Sequence, residues 1–127
     1  MKSKNKPFSL RQRLKSFLYA GRGIVSFFAS EHNAIIHLLA TVCVVFMGFW
    51  LSISAIQWAL VVLAIAMVFS AEIFNTAIEK LADEQTREYS TRIKIIKDLS
   101  AAAVLITAVG AAIVGLLVFL PPLIDKF

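Results

Sequence analysis

Glu72, Asn75, Glu79 and Asp83 stand at i, i+3, i+7 and i+11, a spacing that gathers all four on one side of a helix. They form one polar stripe. Glu72 follows seventeen residues without a charge, Ala55 to Ala71, and an ionisable group that close to hydrocarbon costs about 2.5 to 3.5 kcal/mol at a bilayer centre, less toward its edge. Carboxylates stacked along one helix also repel one another, so the stripe needs a cation, a proton or a basic partner. Hard oxygen donors without a histidine or cysteine pair suit Mg²⁺, which takes one or two carboxylates and completes its shell with water and phosphate oxygens. That chemistry points to a nucleotide. Lys97 beside Asp98, with Arg92 and Lys94 close in sequence, adds positive charge where phosphates could rest. There is no GxxxxGK(S/T) loop, and Gly21-Arg22-Gly23 is too weak a signal for a phosphate loop. The competing reading is a solvated helix end with Lys80 and Arg87 as counter-charges. It accounts for Glu84 and Glu88 but not for Glu72, three turns further in.

The elements that carry these residues belong in lipid. Hydrophobic residues make up 59% of the 127 and charged residues only 17%, a balance outside the soluble range. The net charge of +5 does not signal nucleic acid, because the basic residues sit at the ends of apolar runs and form no broad patch interleaved with exposed aromatics. Leu10, Leu14, Phe17, Leu18, Ile24, Val25 and Phe28 recur at helical spacing, with Arg11, Lys15 and Arg22 on a separate stripe. This predicts an amphipathic helix over about 8–30, lying on the membrane surface. Three spanning helices follow, over about 34–52, 55–83 and 95–120, each long enough to cross a core of about 30 Å. Ser52-Ile53-Ser54 reads as a tight hairpin turn, residues 84–94 as a short exposed connection, and Pro121-Pro122 as the end of the third span. Gly110, Gly115 and the alanines of that span offer a small-residue surface for close packing.

Seven Lys and Arg residues lie between Lys2 and Arg22, five between Lys80 and Lys97, and none between Gly23 and Ile78. The bias places the N-terminus and the 84–94 connection in the cytoplasm and the C-terminus outside. Glu31, the Glu72 to Asp83 stripe and Asp98 then share one depth at the cytoplasmic side. The N-terminal segment has no small-residue cleavage site and its first apolar run starts late, so it is not read as a secretory signal. Cys43, within a span, reads as packing. Trp50 and Trp58 read as interface anchors. Asn33 and His37 share a face of the first span, where His37 suits an interhelical hydrogen bond.

The segment Glu72-Ile-Phe-Asn75-Thr76-Ala77-Ile78-Glu79, followed by Asp83, Glu88-Tyr89, Lys97-Asp98 and Ala101-Ala102-Ala103-Val104-Leu105-Ile106, resembles the small prokaryotic diacylglycerol kinases, which include the undecaprenol kinases. The likeness runs from about Arg11 through nearly the whole chain. Tyr19, Gly23 and Glu31-x-Asn33-x-x-x-His37 also look like the family, the latter more like its undecaprenol-kinase branch. Ile35 stands where many relatives have arginine, and Ser90 where many have histidine. The resemblance implies an all-α membrane protein, one lipid kinase domain over 1–127, assembled as a homotrimer with sites between subunits. It implies a bacterial cytoplasmic membrane enzyme that phosphorylates a lipid alcohol, diacylglycerol or undecaprenol, with ATP and Mg²⁺. By the same resemblance Glu72 is the general base, Glu31 and Glu79 hold Mg²⁺, and Tyr19, Glu31, Glu79, Glu88, Tyr89, Ser90, Lys97 and Asp98 bind ATP. Asn75 and Asp83 support the constellation. The rival reading is a small proton- or cation-coupled transporter, which requires a polar path across the membrane. The outer half of every span is apolar.

Overall fold

A computed structural model describes residues 8–127. It consists of four helices, α1 (Leu10–Ser30), α2 (His32–Trp50), α3 (Ala55–Gln85) and α4 (Thr91–Ile124), with no strand among the described residues. The last three are each long and apolar enough to cross a membrane. At the standard rise α2 measures about 28 Å, close to a bilayer core, whereas α3 and α4 measure about 46 and 51 Å and must extend beyond it. That surplus carries the polar stripe.

Ser9 caps α1, its side chain accepting from the Gln12 N–H, and the helix keeps Leu10, Leu14, Phe17 and Leu18 exposed. An apolar face left open in this way suits the acyl boundary of a bilayer. Only its C-terminal end is pinned, with Phe27 buried and the Phe28 ring 5.8 Å from that of Phe69 on α3. Glu31 alone separates α1 from α2, in extended conformation (φ −113°, ψ 116°). Its N–H bonds the Phe27 carbonyl at 3.0 Å and its carbonyl accepts from Ala34 at 3.2 Å. The surface helix and the first span therefore meet at one fixed residue.

The turn between α2 and α3 is tight, as the sequence predicts. Ser52 takes a left-handed conformation (φ 51°), the Ile53 N–H reaches the Gly48 carbonyl at 3.1 Å, and the Ser52 N–H the Phe49 carbonyl at 3.2 Å. This is a Schellman closure with serine where glycine is usual. Ser54 and Gln57 then open α3 with a reciprocal capping box. Trp58 covers Gly48, and Ile53, Val61, Val118 and Phe119 form the buried core nearby.

Two boundaries differ from the sequence reading. Helix α4 starts at Thr91, because the Ser90 hydroxyl caps it by accepting from the Ile93 N–H, so half of the expected connection is helical. It also continues through Pro121 and Pro122 to Ile124. Proline's fixed φ fits a helix, and here the two missing N–H groups fall in the final turns, where few further bonds are forfeited. Helices α3 and α4 pack along much of their length, while α2 touches them lightly.

Candidate functional site

Each residue of the polar stripe has its own partner. Glu72 is buried, 6% exposed, and its Oε1 lies 2.8 Å from His37 Nε2 on α2. Asn75 donates through Nδ2 to Glu79 Oε1 (3.3 Å) and accepts through Oδ1 from Ser100 Oγ (2.8 Å) on α4. Both halves of the Asn75 amide are used in their proper sense. Asp83, one turn beyond Glu79, pairs with Lys97 of α4. The repulsion expected along α3 is thus relieved by neighbouring groups of α2, α3 and α4, and not by Lys80 or Arg87.

Lys80 has a different role. Its Nζ donates to Ser30 Oγ (3.2 Å), and that hydroxyl donates to Glu31 Oε1 (3.2 Å). The chain of contacts draws the α1–α2 junction against α3 beside Glu79, so the half-buried Glu31 and Glu79 belong to the same end of the bundle. Three or more candidate metal-ligating side chains do not cluster among the described residues. A pair of carboxylate oxygens nevertheless fits Mg²⁺, which draws most of its shell from water and phosphate.

Below Glu72, a cleft of about 140 Å³ opens between α2, α3 and α4. His37 stands at its head, Phe69 and Val68 beside it, and Val44, Val114 and Phe119 line it further along. Its walls are almost wholly apolar. A carboxylate held by His37, next to such a cleft, can meet the hydroxyl of a molecule whose tail stays in hydrocarbon.

The other expected residues are less gathered. Ser90 is the α4 cap, and Asp98 pairs with Lys94 one turn away. Glu88 and Tyr89 lie in the α3–α4 connection, exposed, with Tyr89 at 82%. Tyr19 is 61% exposed on α1, about 18 Å back along the helix from Glu31. Tyr19, Tyr89 and Asn33 make no side-chain hydrogen bond among the described residues. A single protomer assembles the Glu72, Glu79 and Asp83 row but does not bring Tyr19 to it. Sequence reasoning missed Ser100, a lone hydroxyl at the mouth of an apolar run. It found His37 but not its partner, thirty-five positions away.

Residues 18–119 match the family model for prokaryotic diacylglycerol kinase. The chain belongs to the prokaryotic diacylglycerol kinase family. An undecaprenol kinase of Bacillus subtilis (strain 168) is 41% identical over 123 residues, covering 97% of this chain and 100% of that one. A diacylglycerol kinase of Synechocystis sp. is 38% identical over 113 residues, 88% of this chain and 65% of that one. The diacylglycerol kinase of Escherichia coli (strain K12) is 30% identical over 100 residues, 79% and 82% of the two chains. Every residue of the α3 stripe, and Lys97 and Asp98, fall within the matched segment of this lipid kinase family member. The family and the three apolar helices together make it a prokaryotic membrane enzyme.

Proposed function

We propose that this chain transfers the γ-phosphoryl group of ATP to the hydroxyl of a membrane lipid alcohol at the cytoplasmic face of the bacterial inner membrane. The observation that carries the reading is Glu72, buried and with one carboxylate oxygen bonded to His37, a residue that itself lines the apolar cleft. A lipid hydroxyl is confined to the interface and ATP to water, so their reaction needs a site at that boundary. The stripe from Glu72 to Asp83 extends about 16 Å along α3 and crosses it.

In this reading Glu72 accepts the hydroxyl proton as the lipid oxygen bonds to the γ-phosphorus and the bond to the β-γ bridging oxygen breaks, releasing ADP. Glu31 and Glu79 hold Mg²⁺, which when bound offsets polyphosphate charge during transfer. Asn75, fixed by Ser100, orients Glu79. Asp83 holds Lys97 near the phosphates, and Tyr19, Glu88, Tyr89, Ser90 and Asp98 complete the nucleotide site. Chain 1–127 acts as one domain, with its N-terminus cytoplasmic and its C-terminus outside, in keeping with the Lys and Arg distribution.

The active form is a homotrimer. Support comes from the apolar outer faces of α2 to α4, and from Tyr19, which one protomer leaves apart from the stripe. Undecaprenol is the first acceptor to test, because the relative aligned over its full length bears that name. Purified protein supplied with Mg·ATP and either undecaprenol or diacylglycerol, in separate mixed-micelle assays, should label at least one lipid with phosphate. Failure to label either, in protein that binds ATP, would overturn the reading.

A further inference from the structure

His37 has no part in the reaction as described, yet it is the sole described hydrogen-bond partner of the buried Glu72 carboxylate. We propose that His37 is a positioning residue for phosphoryl transfer: its imidazole fixes Glu72 Oε1 so that Oε2 is presented to the acceptor hydroxyl. The inference rests on reading Glu72 as the base.

The geometry assigns the two oxygens different tasks. Oε1 sits 2.8 Å from His37 Nε2, and Oε2 has no hydrogen-bond partner among the described residues. A carboxylate acting as base only accepts, so Nε2 is the donor in this contact. Without that bond, glutamate's three side-chain torsions are free to turn the carboxylate away from the cleft. The imidazole is itself held. Its ring stands edge-on to Phe69, centroids 6.2 Å apart, and Phe69 in turn packs against Phe28 at 5.8 Å. A packed row therefore links α1, α3 and α2 just beneath Glu72, and the base is registered against the same helix junction that carries Glu31. His37 also walls the head of the cleft, which places it next to the path of the acceptor.

A simple clamp between α2 and α3 would need the bond for stability alone, and the two roles separate in kinetics. The test uses the full chain in mixed micelles with Mg·ATP and the acceptor lipid labelled in the assay above, comparing His37→Leu, His37→Gln, Glu72→Gln and the double variant His37→Leu/Glu72→Gln. Leucine keeps apolar bulk against Phe69 and removes the donor, while glutamine keeps an N–H that can reach Oε1. Misplacing a reacting group by about 1 Å can cost about a hundredfold, so His37→Leu should lower kcat by about that factor with KM for Mg·ATP within about twofold. His37→Gln should recover about tenfold of the loss, and the double variant should be no slower than Glu72→Gln alone. Thermal midpoints of the Leu and Gln variants should agree. If His37→Leu turns over within about threefold of the parent, or if leucine and glutamine lose activity equally, the positioning role is overturned. An active Glu72→Gln overturns the base reading itself, whereas an inactive Glu72→Gln beside a fully active His37→Leu removes only the role of His37.

Discussion

Three carboxylates share one face of α3, yet each is balanced differently: Glu72 by an imidazole, Glu79 by an amide and Asp83 by an ammonium group. The gradient follows depth. At the buried end a single imidazole N–H satisfies the carboxylate, and at the exposed end a lysine can be accommodated because water shares the pair. Glu79, between them, keeps one oxygen to spare for a cation: among the described residues only Oε1 takes a bond, from Asn75. Glu79→Gln and Glu31→Gln should therefore each raise the Mg²⁺ concentration needed for half-maximal rate by about tenfold, since each replaces a hard anionic oxygen. An unchanged Mg²⁺ titration would remove that residue from the metal site. The stripe was legible in sequence because its members are local, at helical spacing. His37 and Ser100 were not assigned to it because their partners come from other helices, and a lone histidine or serine carries no spacing to read.

At the scale of elements, amphipathic spacing located α1, and hydropathy located the three spans because each apolar run is about as long as a bilayer core requires and is separated from the next by polar or turn-forming residues. Their ends depend on single residues. Ser90 supplies a cap that composition does not distinguish from any other serine in a polar connection, and Pro121-Pro122 reads as a stop although its φ is helical. The α2–α3 turn offers two tests. Ser52 occupies a left-handed position, which costs a residue with a side chain about 1 to 2 kcal/mol, and glycine's greater unfolded freedom offsets part of that. Ser52→Gly should raise stability by about 0.5 to 1 kcal/mol in reversible denaturation of the purified protein. Gly48 is the opposite case: a Cβ there would meet the Trp58 ring at 2.6 and 2.7 Å. Gly48→Ala should destabilise by about 1 to 3 kcal/mol, read as a lower unfolding midpoint, because the ring must move out of a packed position. A neutral result at either position would refute the turn geometry.

For the whole molecule, the described helices bury few large side chains and leave apolar faces outward on every span, as expected where lipid or another copy supplies the cover. The family signal was legible because its motifs lie at the cytoplasmic ends of the helices, where polar residues are conspicuous against apolar sequence. Assembly was legible only through the family resemblance, since an outward apolar surface reads alike whether it faces lipid or protein. A shared site has a direct consequence: subunits carrying Glu72→Gln, mixed with subunits carrying Lys97→Ala and reassembled after unfolding, should regain activity that neither variant shows alone. No recovery in verified mixed oligomers would confine both residues to a site within one chain. The claim on which the rest depends is that Glu72 takes the acceptor's proton, and single-turnover phosphoryl transfer measures it most directly. With Mg·ATP and acceptor lipid saturating, Glu72→Gln should transfer phosphate at least about a hundredfold more slowly than the parent while nucleotide binding persists. A transfer rate within about tenfold of the parent would contradict the account.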